Sequence, residues 1–373
     1  MPRFVQLHLL TQYPPSNLNR DDTGRPKTAL VGDALRLRIS SQSLKRAWRT
    51  SEVFFDALGD INTPRTDGVV DWGKSVGNAI GVRTKEAGKR IFATLVDQGV
   101  SEKDAHKWAQ AIADKFGKLK KANKDKPNLD LEIEQLAHLS PSERDAIDDL
   151  VRTCIARDSG PTDEELSVLR KPQRAVDIAM FGRMLADDPA YNMEAAVQVA
   201  HAFTIHKSAV EDDYFSAVDD LNEGLEDKGA GHIGERGYGA GLFYLYLCID
   251  RELLKQNLDQ DSPLTQNALR ALINAITKVS PTGMQNSFAS RAYASYVLAE
   301  KGDQQPRSLS QSFLKPVRGT DQGSLLDHGI KAIERRAENF DKVYGACANS
   351  RYRLNVEAGE GSLGELADFV AQD

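Results

Sequence analysis

Cysteine is scarce in this chain: Cys154, Cys248 and Cys347 are the only three in 373 residues. Their odd number and wide spacing exclude a disulfide framework and a cysteine-based zinc site, and suit a reducing compartment. Long apolar runs are lacking too. No stretch approaches the roughly 20 residues of a membrane span, so no membrane partner is expected. The opening residues, MPRFVQLHLLTQYPPS, alternate like a strand and carry no small-residue cleavage site. No signal peptide is read there, and a cytoplasmic location is expected. A Walker A loop, a GxSxG elbow and an HExxH helix are all absent. His8, His201 and His206 have no metal-ligand spacing, and no cofactor or metal is expected.

What is present is a soluble globular composition, 40% hydrophobic, in a chain longer than most single domains. The net charge is -6, which taken alone disfavours a nucleic-acid partner. Phosphates respond to local patches, however. Residues 1–50 hold nine Lys/Arg against three acids, while the remainder carries an excess of twelve acids. A basic face, if there is one, begins at the N-terminus.

Phe4 to Leu10 alternates as a strand, with Val5, Leu7 and Leu9 on one side and Gln6 and His8 on the other. A loop rich in Pro, Asn and Gly follows. ALRLRI (34–39) reads as a second strand with Leu35, Leu37 and Ile39 on one face and Arg36 and Arg38 on the other. SSQSLKRAWRTSEVFFDALG then reads as an amphipathic helix. Ser40 or Ser41 serves as N-cap, Leu44, Trp48 and Phe55 form the apolar stripe, and Gln42, Lys45 and Arg49 share a basic face. Gly59 is placed to end it.

From about 60 to 171 the pattern is charged and helical, as in an inserted module. Strand-like alternation resumes at RAVDIAMFGRML and NMEAAVQVAHAFTIH, and residues 208–241 read as a polar, Gly-rich hairpin. LFYLYLCID (242–250) is a strand. A helix near 265–279, a strand near 291–299 and a helix near 324–345 complete the chain. The alternation of strands and helices gives an α+β class.

The segment SNLNRDDTGRPKTALVGDALRLRISSQSLKRAWR resembles the N-terminal signature of the backbone subunit of the type I-E CRISPR Cascade complex (CasC family, RAMP superfamily). VDIAMFGRM (176–184), VQVAHAFTIH (197–206) and DYFSAVDDL (213–221) resemble the same family in the same order. The resemblance implies a modified RNA-recognition-motif (ferredoxin-like) palm, an inserted helical fingers module and a β-hairpin thumb. On this chain the palm would be 1–59, 172–207 and 242–373, the last with a C-terminal helix, the fingers 60–171 and the thumb 208–241. It also implies a non-catalytic role. Copies would polymerise along a crRNA beside other Cascade subunits. They would grip its phosphate backbone and kink it with the thumb, leaving the spacer to pair with target DNA in antiviral defence.

The candidate site residues follow from both readings. Ser40, Gln42, Lys45, Arg46 and Arg49 combine a helix N-terminus with cationic side chains and suit phosphate. The resemblance adds Arg20 and Lys27 from the loop before that helix, and Lys315 and Arg318 from FLKPVRG. It makes Arg183 a phosphate or stacking contact and Met184 an apolar wedge, both ending a VDIAMFGRM strand. Tyr214 and Phe215 are adjacent aromatics in an acidic stretch; the resemblance puts a base-stacking aromatic at the thumb, with Phe215 favoured as that wedge. In KFGKLKKANKDK, the resemblance makes Lys115, Lys118, Lys120, Lys121 and Lys124 candidates for contact with duplex DNA; by composition alone such a run is solvated surface. RGYGAGLF (236–243) partly fits the RNP1 pattern, but Ala240 and Gly241 break it; the resemblance places it where the thumb returns to the palm, so its glycines are read as serving backbone geometry.

Two other readings compete. Related subunits cut RNA through an Asp in a palm loop, and Asp33 lies in such a loop, where it could position a metal-bound water for target-RNA cleavage; turns are also rich in Asp for backbone reasons. The acidic balance also allows a homo-oligomeric scaffold that binds protein only.

Overall fold

The computed structural model describes residues 2–63, 68–73, 77–169, 175–185, 191–217 and 232–372. The tip of the expected hairpin, 218–231, and with it the end of DYFSAVDDL, lies outside the described residues. In chain order the elements are β1 (Phe4–Ser16), β2 (Thr28–Val31), β3 (Ala34–Ile39), α1 (Ser41–Arg49), α2 (Glu52–Leu58), β4 (Val82–Thr84), α3 (Ala87–Asp97), α4 (Glu102–Asp114), β5 (Ala137–Leu139), α5 (Pro141–Arg157), α6 (Asp163–Ser167) and α7 (Val176–Phe181). There follow β6 (Val197–Val199), β7 (Ala202–Thr204), β8 (Glu211–Ala217), β9 (His232–Asp250), α8 (Arg251–Asn257), α9 (Ser262–Lys278), α10 (Gln285–Phe288), β10 (Ala294–Gly302), α11 (Leu325–Tyr344), β11 (Ser350–Asn355) and α12 (Leu363–Ala371). The chain divides into two compact units: 1–54, 198–249 and 269–373 form one, and 55–197 and 250–268 the other.

The first unit is built on a sheet of order β11-β10-β1-β9-β7-β3-β2, with β6 and β8 also paired to β9. β1 and β10 run antiparallel from Phe4↔Gly302 to Leu10↔Tyr296, with a bulge after Leu10. Leu10, Leu242, Tyr244, Tyr296 and Leu298 pack against Ile330, Ile333 and Ala337 of α11. On the other side Lys301 reaches α12, where its Nζ donates to the Gln372 carbonyl at 2.7 Å and sits 4.8 Å from the Phe369 ring centroid. An Arg270–Asp368 ion pair at 2.7 Å ties α9 to α12. The mixed α+β class expected from the sequence is the one observed.

With helices on both sides, both faces of β1 are buried: Gln6 and His8 are enclosed along with Val5, Leu7 and Leu9. Polar groups so enclosed need partners, since an unpaired one costs about 1–3 kcal/mol. His8 meets Tyr244 Oη through Nδ1 at 2.9 Å and Glu300 Oε2 through Nε2 at 3.2 Å. Burial is the main cause that lowers the His8 pKa, against the hydrogen bond and charge of Glu300, which raise it. Burial also acts to raise the Glu300 carboxyl, but hydrogen bonds from His8 and Arg307 outweigh it and leave Glu300 well below the usual range. Arg307 bonds both Glu300 oxygens, and Arg351 bonds one of them at 2.8 Å.

β3 departs from its expected alternation. Arg36 is fully buried, and its Nη1 and Nη2 donate to the carbonyls of Thr204 and Phe313, each at 3.0 Å. Leu35 is 43% exposed although Leu37 and Ile39, read on the same face, are buried. The helix read across 40–59 breaks in two at Thr50 and Ser51. Their hydroxyls donate back to the Arg46 and Trp48 carbonyls, and Ser51 Oγ then accepts the Phe54 N–H. The break shifts the helical register, so Phe54 is buried where Phe55 was expected.

The second unit has its own core, with Ile91, Leu95, Trp108, Ile112, Leu131, Ile147 and Val151 at its centre. α5 begins with a capping box between Ser140 and Glu143 and Pro141 in the first turn. VDIAMFGRM does not form the expected strand: Val176–Phe181 is a helix. Val176 to Met180 are all buried, so no amphipathic period marks the segment. Among the described residues no helix is long and apolar enough to cross a membrane.

Candidate nucleic-acid interface

The loop between β1 and β2 is held in a fixed shape by its own polar residues. The Lys27 N–H donates to the Asn19 carbonyl at 2.8 Å. Asp21 Oδ1 accepts from the Thr23 hydroxyl at 2.7 Å and from the Thr23 and Arg25 N–H groups at 3.0 Å. The Thr23 hydroxyl is the main reason the Asp21 carboxyl lies below its usual range, helped by backbone N–H groups. Gly24, at φ +86°, makes the reversal that a side chain would disfavour.

This loop is fastened to α1. Asn19 Oδ1 accepts the Ser40 N–H at 2.9 Å, and the Ser40 hydroxyl caps the helix by accepting from the Ser43 N–H. The N-cap predicted at Ser40 or Ser41 is therefore Ser40. Between loop and helix lies a cleft of about 600 Å³, lined by Asn19, Arg20, Asp21 and Asp22 on one side and Ser43, Arg46 and Thr50 on the other. Thr282 and Gly283 complete it. A Cβ on Gly283 would fall 2.4 Å from the Leu18 carbonyl oxygen, so only glycine permits this approach.

Of the predicted residues, Arg20 and Arg46 are exposed and share the cleft. Gln42 is exposed on the same helix, and Lys45 is half-buried, which lowers its pKa. Lys27 is half-buried at the end of the loop. Arg49 stands apart: it is only 8% exposed, so the accessible basic face of α1 runs through Arg46 and not Arg49. Lys315 and Arg318 are exposed beyond the turn at Phe313 but do not line the cleft. His201 lies beside Arg38, Nδ1 to Nη1 at 2.6 Å, and burial first, then the Arg38 and Lys27 charges, lower its pKa.

The hairpin pairs β8 with β9, from Glu211↔Tyr238 to Ala217↔His232. Tyr214 is 67% exposed. Phe215 is half-buried: it faces Gly234, whose missing side chain leaves room for the ring, and the Arg236 guanidinium lies 4.4 Å from its centroid. The favoured wedge is thus sandwiched within its own hairpin, and Tyr214 is the aromatic that faces solvent. Gly239 and Gly241 likewise lie against Leu37 and Thr204 with no space for a Cβ, the backbone role read for RGYGAGLF.

Arg183 and Met184 lie in the second unit. Arg183 is buried. Its Nη1 donates to Glu143 Oε2 at 2.7 Å and to the His138 carbonyl, and its Nε to the Tyr191 carbonyl. Those bonds, within a buried site, leave no open guanidinium edge for the phosphate or stacking contact expected of it. Met184 is 83% exposed. In the lysine run, Lys118 pairs with Glu134 at 3.2 Å and Lys120 with Glu132, which also pairs with Lys89. Lys115 is half-buried at the end of α4, whereas Lys121 and Lys124 are exposed and meet no carboxylate among the described residues.

Sequence reasoning named Arg20 and Arg46 and missed Asn19, Asp21, Asp22, Ser43, Thr50, Thr282 and Gly283 as cleft residues. The Asn-rich loop before the basic helix was the available signal for Asn19 and Asp22; nothing local pointed to 282–283. Asp33 is exposed in the turn between β2 and β3. No group of three or more His, Cys, Asp or Glu residues that could hold a metal occurs among the described residues.

The model of the CT1975-like protein family matches residues 5–368. The chain belongs to that family. Two solved structures resemble this family member over its whole length. One, from a "CRISPR RNA-guided surveillance complex, pre-nicking", is 27% identical with a TM-score of 0.81, covering 99% of each chain. The other, from a "CRISPR RNA-guided surveillance complex", is 24% identical with a TM-score of 0.70 and the same coverage, a likeness of fold. No curated protein matches the chain. The family resemblance read from the NRDD and RISSQSLKRA residues is borne out across the chain.

Proposed function

We propose that this protein is a non-catalytic backbone subunit of an RNA-guided CRISPR surveillance complex. Several copies would assemble along one crRNA with other Cascade subunits, in the cytoplasm. The observation that carries this reading is the cleft between the β1–β2 loop and α1. Arg20 and Arg46 are exposed there in the loop and helix that hold the family signature. The whole-chain likeness to a subunit of a surveillance complex supports it. In this reading the cleft takes the phosphate backbone and the β8–β9 hairpin displaces a base, with Tyr214 as the exposed aromatic. The exposed Lys121 and Lys124 contact duplex target DNA.

The deciding experiment is co-expression with a CRISPR array and the neighbouring subunits, followed by purification and a denaturing gel of the bound nucleic acid. A discrete guide-sized RNA, protected across its spacer, supports the reading. An oligomer without RNA, stable in high salt, would favour a protein-only scaffold. Metal-dependent cutting of a complementary RNA that disappears in Asp33→Asn would overturn the non-catalytic assignment.

A further inference from the structure

The base of the β8–β9 hairpin is joined to the β1–β2 loop by contacts that neither element makes alone. Asn17 is fully buried, and its Nδ2 donates to two carbonyls, Gly24 in the loop at 3.0 Å and Gly237 in the hairpin at 2.9 Å. Beside it, Arg25 of the loop pairs with Asp212 of β8 at 2.8 Å. Gly237 lies close under Pro26 and Arg25: a Cβ there would be 3.1 Å from Pro26 Cδ. One amide with two donors therefore bridges the loop that carries Arg20 and the hairpin that carries Tyr214. Few side chains can do this. Asp has the shape and no donors, and Ser or Thr has one donor.

We propose that Asn17 is a positioning residue, assisted by the Arg25–Asp212 pair. It holds the hairpin at a set angle to the Arg20–Arg46 cleft, so that a strand gripped in the cleft always meets the hairpin at the same nucleotide. The functional half of this statement rests on the nucleic-acid reading above; the mechanical half does not. A hairpin leaving a sheet has few neighbours and opens easily. Tying its base to the cleft loop lowers the freedom that binding must otherwise remove.

The test uses the full chain. Hydrogen exchange of the free protein is compared for wild type, Asn17→Asp, Arg25→Asp and the charge-swapped Arg25→Asp/Asp212→Arg. Losing two buried hydrogen bonds in Asn17→Asp speeds exchange of residues 211–217 and 232–238 by about tenfold or more. Arg25→Asp, at an exposed pair, gives up to about fivefold. The swapped pair returns to the wild-type rate, which a merely destabilised fold would not do. Unchanged hairpin exchange in both single variants overturns the proposal, and if Asn17→Asp does not fold, the Arg25 and swapped variants decide. The second readout is nuclease footprinting on a labelled single-stranded RNA of about 16 nucleotides, the upper end of the length such a groove can track, which leaves little room for alternative registers. A defined cleavage position in wild type that spreads over neighbouring nucleotides in Arg25→Asp, and sharpens again in the swapped pair, supports the positioning role. A position as sharp in Arg25→Asp as in wild type overturns it. No RNA binding by any variant, with the exchange pattern as expected, would overturn the nucleic-acid reading and leave the mechanical link standing.

Discussion

Arg183 and Glu143 form an ion pair, Nη1 to Oε2 at 2.7 Å, in which both side chains are almost wholly shielded from solvent. Glu143 also accepts the Ser140 N–H in the capping box of α5. Removing the arginine would strand a carboxylate in the interior. Arg183→Ala is therefore expected to destabilise the protein by about 3–5 kcal/mol, read as a lower urea midpoint. A variant with wild-type stability and weakened RNA binding would instead make Arg183 a direct RNA ligand.

Arg46 and Arg49 are adjacent on the same helix face by sequence but differ in access, and their substitutions should separate. Arg46→Glu is expected to weaken binding of single-stranded RNA and to lower the salt slope by about 0.7 for each phosphate no longer neutralised. Arg49→Glu is expected to act chiefly on stability, because it places a carboxylate at a buried position. Fluorescence anisotropy across a salt series, with thermal melts, distinguishes the two. Equal effects of both on the salt slope would contradict the assignment of the accessible face.

The hairpin aromatics should divide in the same way. Tyr214→Ala removes an exposed ring and is expected to weaken RNA binding by about 1–3 kcal/mol if a base stacks there, with no change in melting temperature. Phe215→Ala empties the space between Gly234 and Arg236 and is expected to speed hydrogen exchange in the hairpin. A large binding loss confined to Phe215→Ala would reinstate Phe215 as the wedge.

His206 accepts the Leu242 N–H through Nε2 at 3.2 Å and contacts the Lys207 carbonyl through Nδ1 at 3.0 Å, which fixes the neutral tautomer. Burial is the main cause that lowers its pKa, as it is for His8. A folded-state pKa below the unfolded value of 6.5 means that the unfolded chain binds more protons. Stability is then full above that value and falls as pH drops below it. Urea midpoints should decrease from pH 7.5 to 5.5, and His206→Gln should flatten that dependence. A midpoint that rises on acidification would contradict the sign.

The parts of the molecule that were legible in the sequence are those governed by neighbours along the chain. Ser40 followed by an apolar stripe fixes the start of α1, the alternation in β1 fixes its strand, and the apolar run LFYLYLCID marks the end of β9. Arg36, Arg49 and Arg183 look accessible in the sequence because their burial depends on distant parts of the fold: the partners of Arg36, for example, are carbonyls 168 and 277 residues away. α7 is hidden for a different reason. A helix buried on all sides has no polar face to reveal its period. The cleft was half legible: its cations stand in a basic segment, but Thr282 and Gly283 reach it from the far end of the chain.

Arg36, sealed between two carbonyls, has a consequence for chemical labelling. A reagent such as phenylglyoxal needs an open guanidinium edge, which Arg36 and Arg183 lack and Arg20 and Arg46 retain. Labelling of the folded chain would therefore mark exposed arginines, the cleft pair and Arg318 among them, while the interior ones stay silent. Protection from the reagent on adding RNA would map the gripped surface with no substitution made.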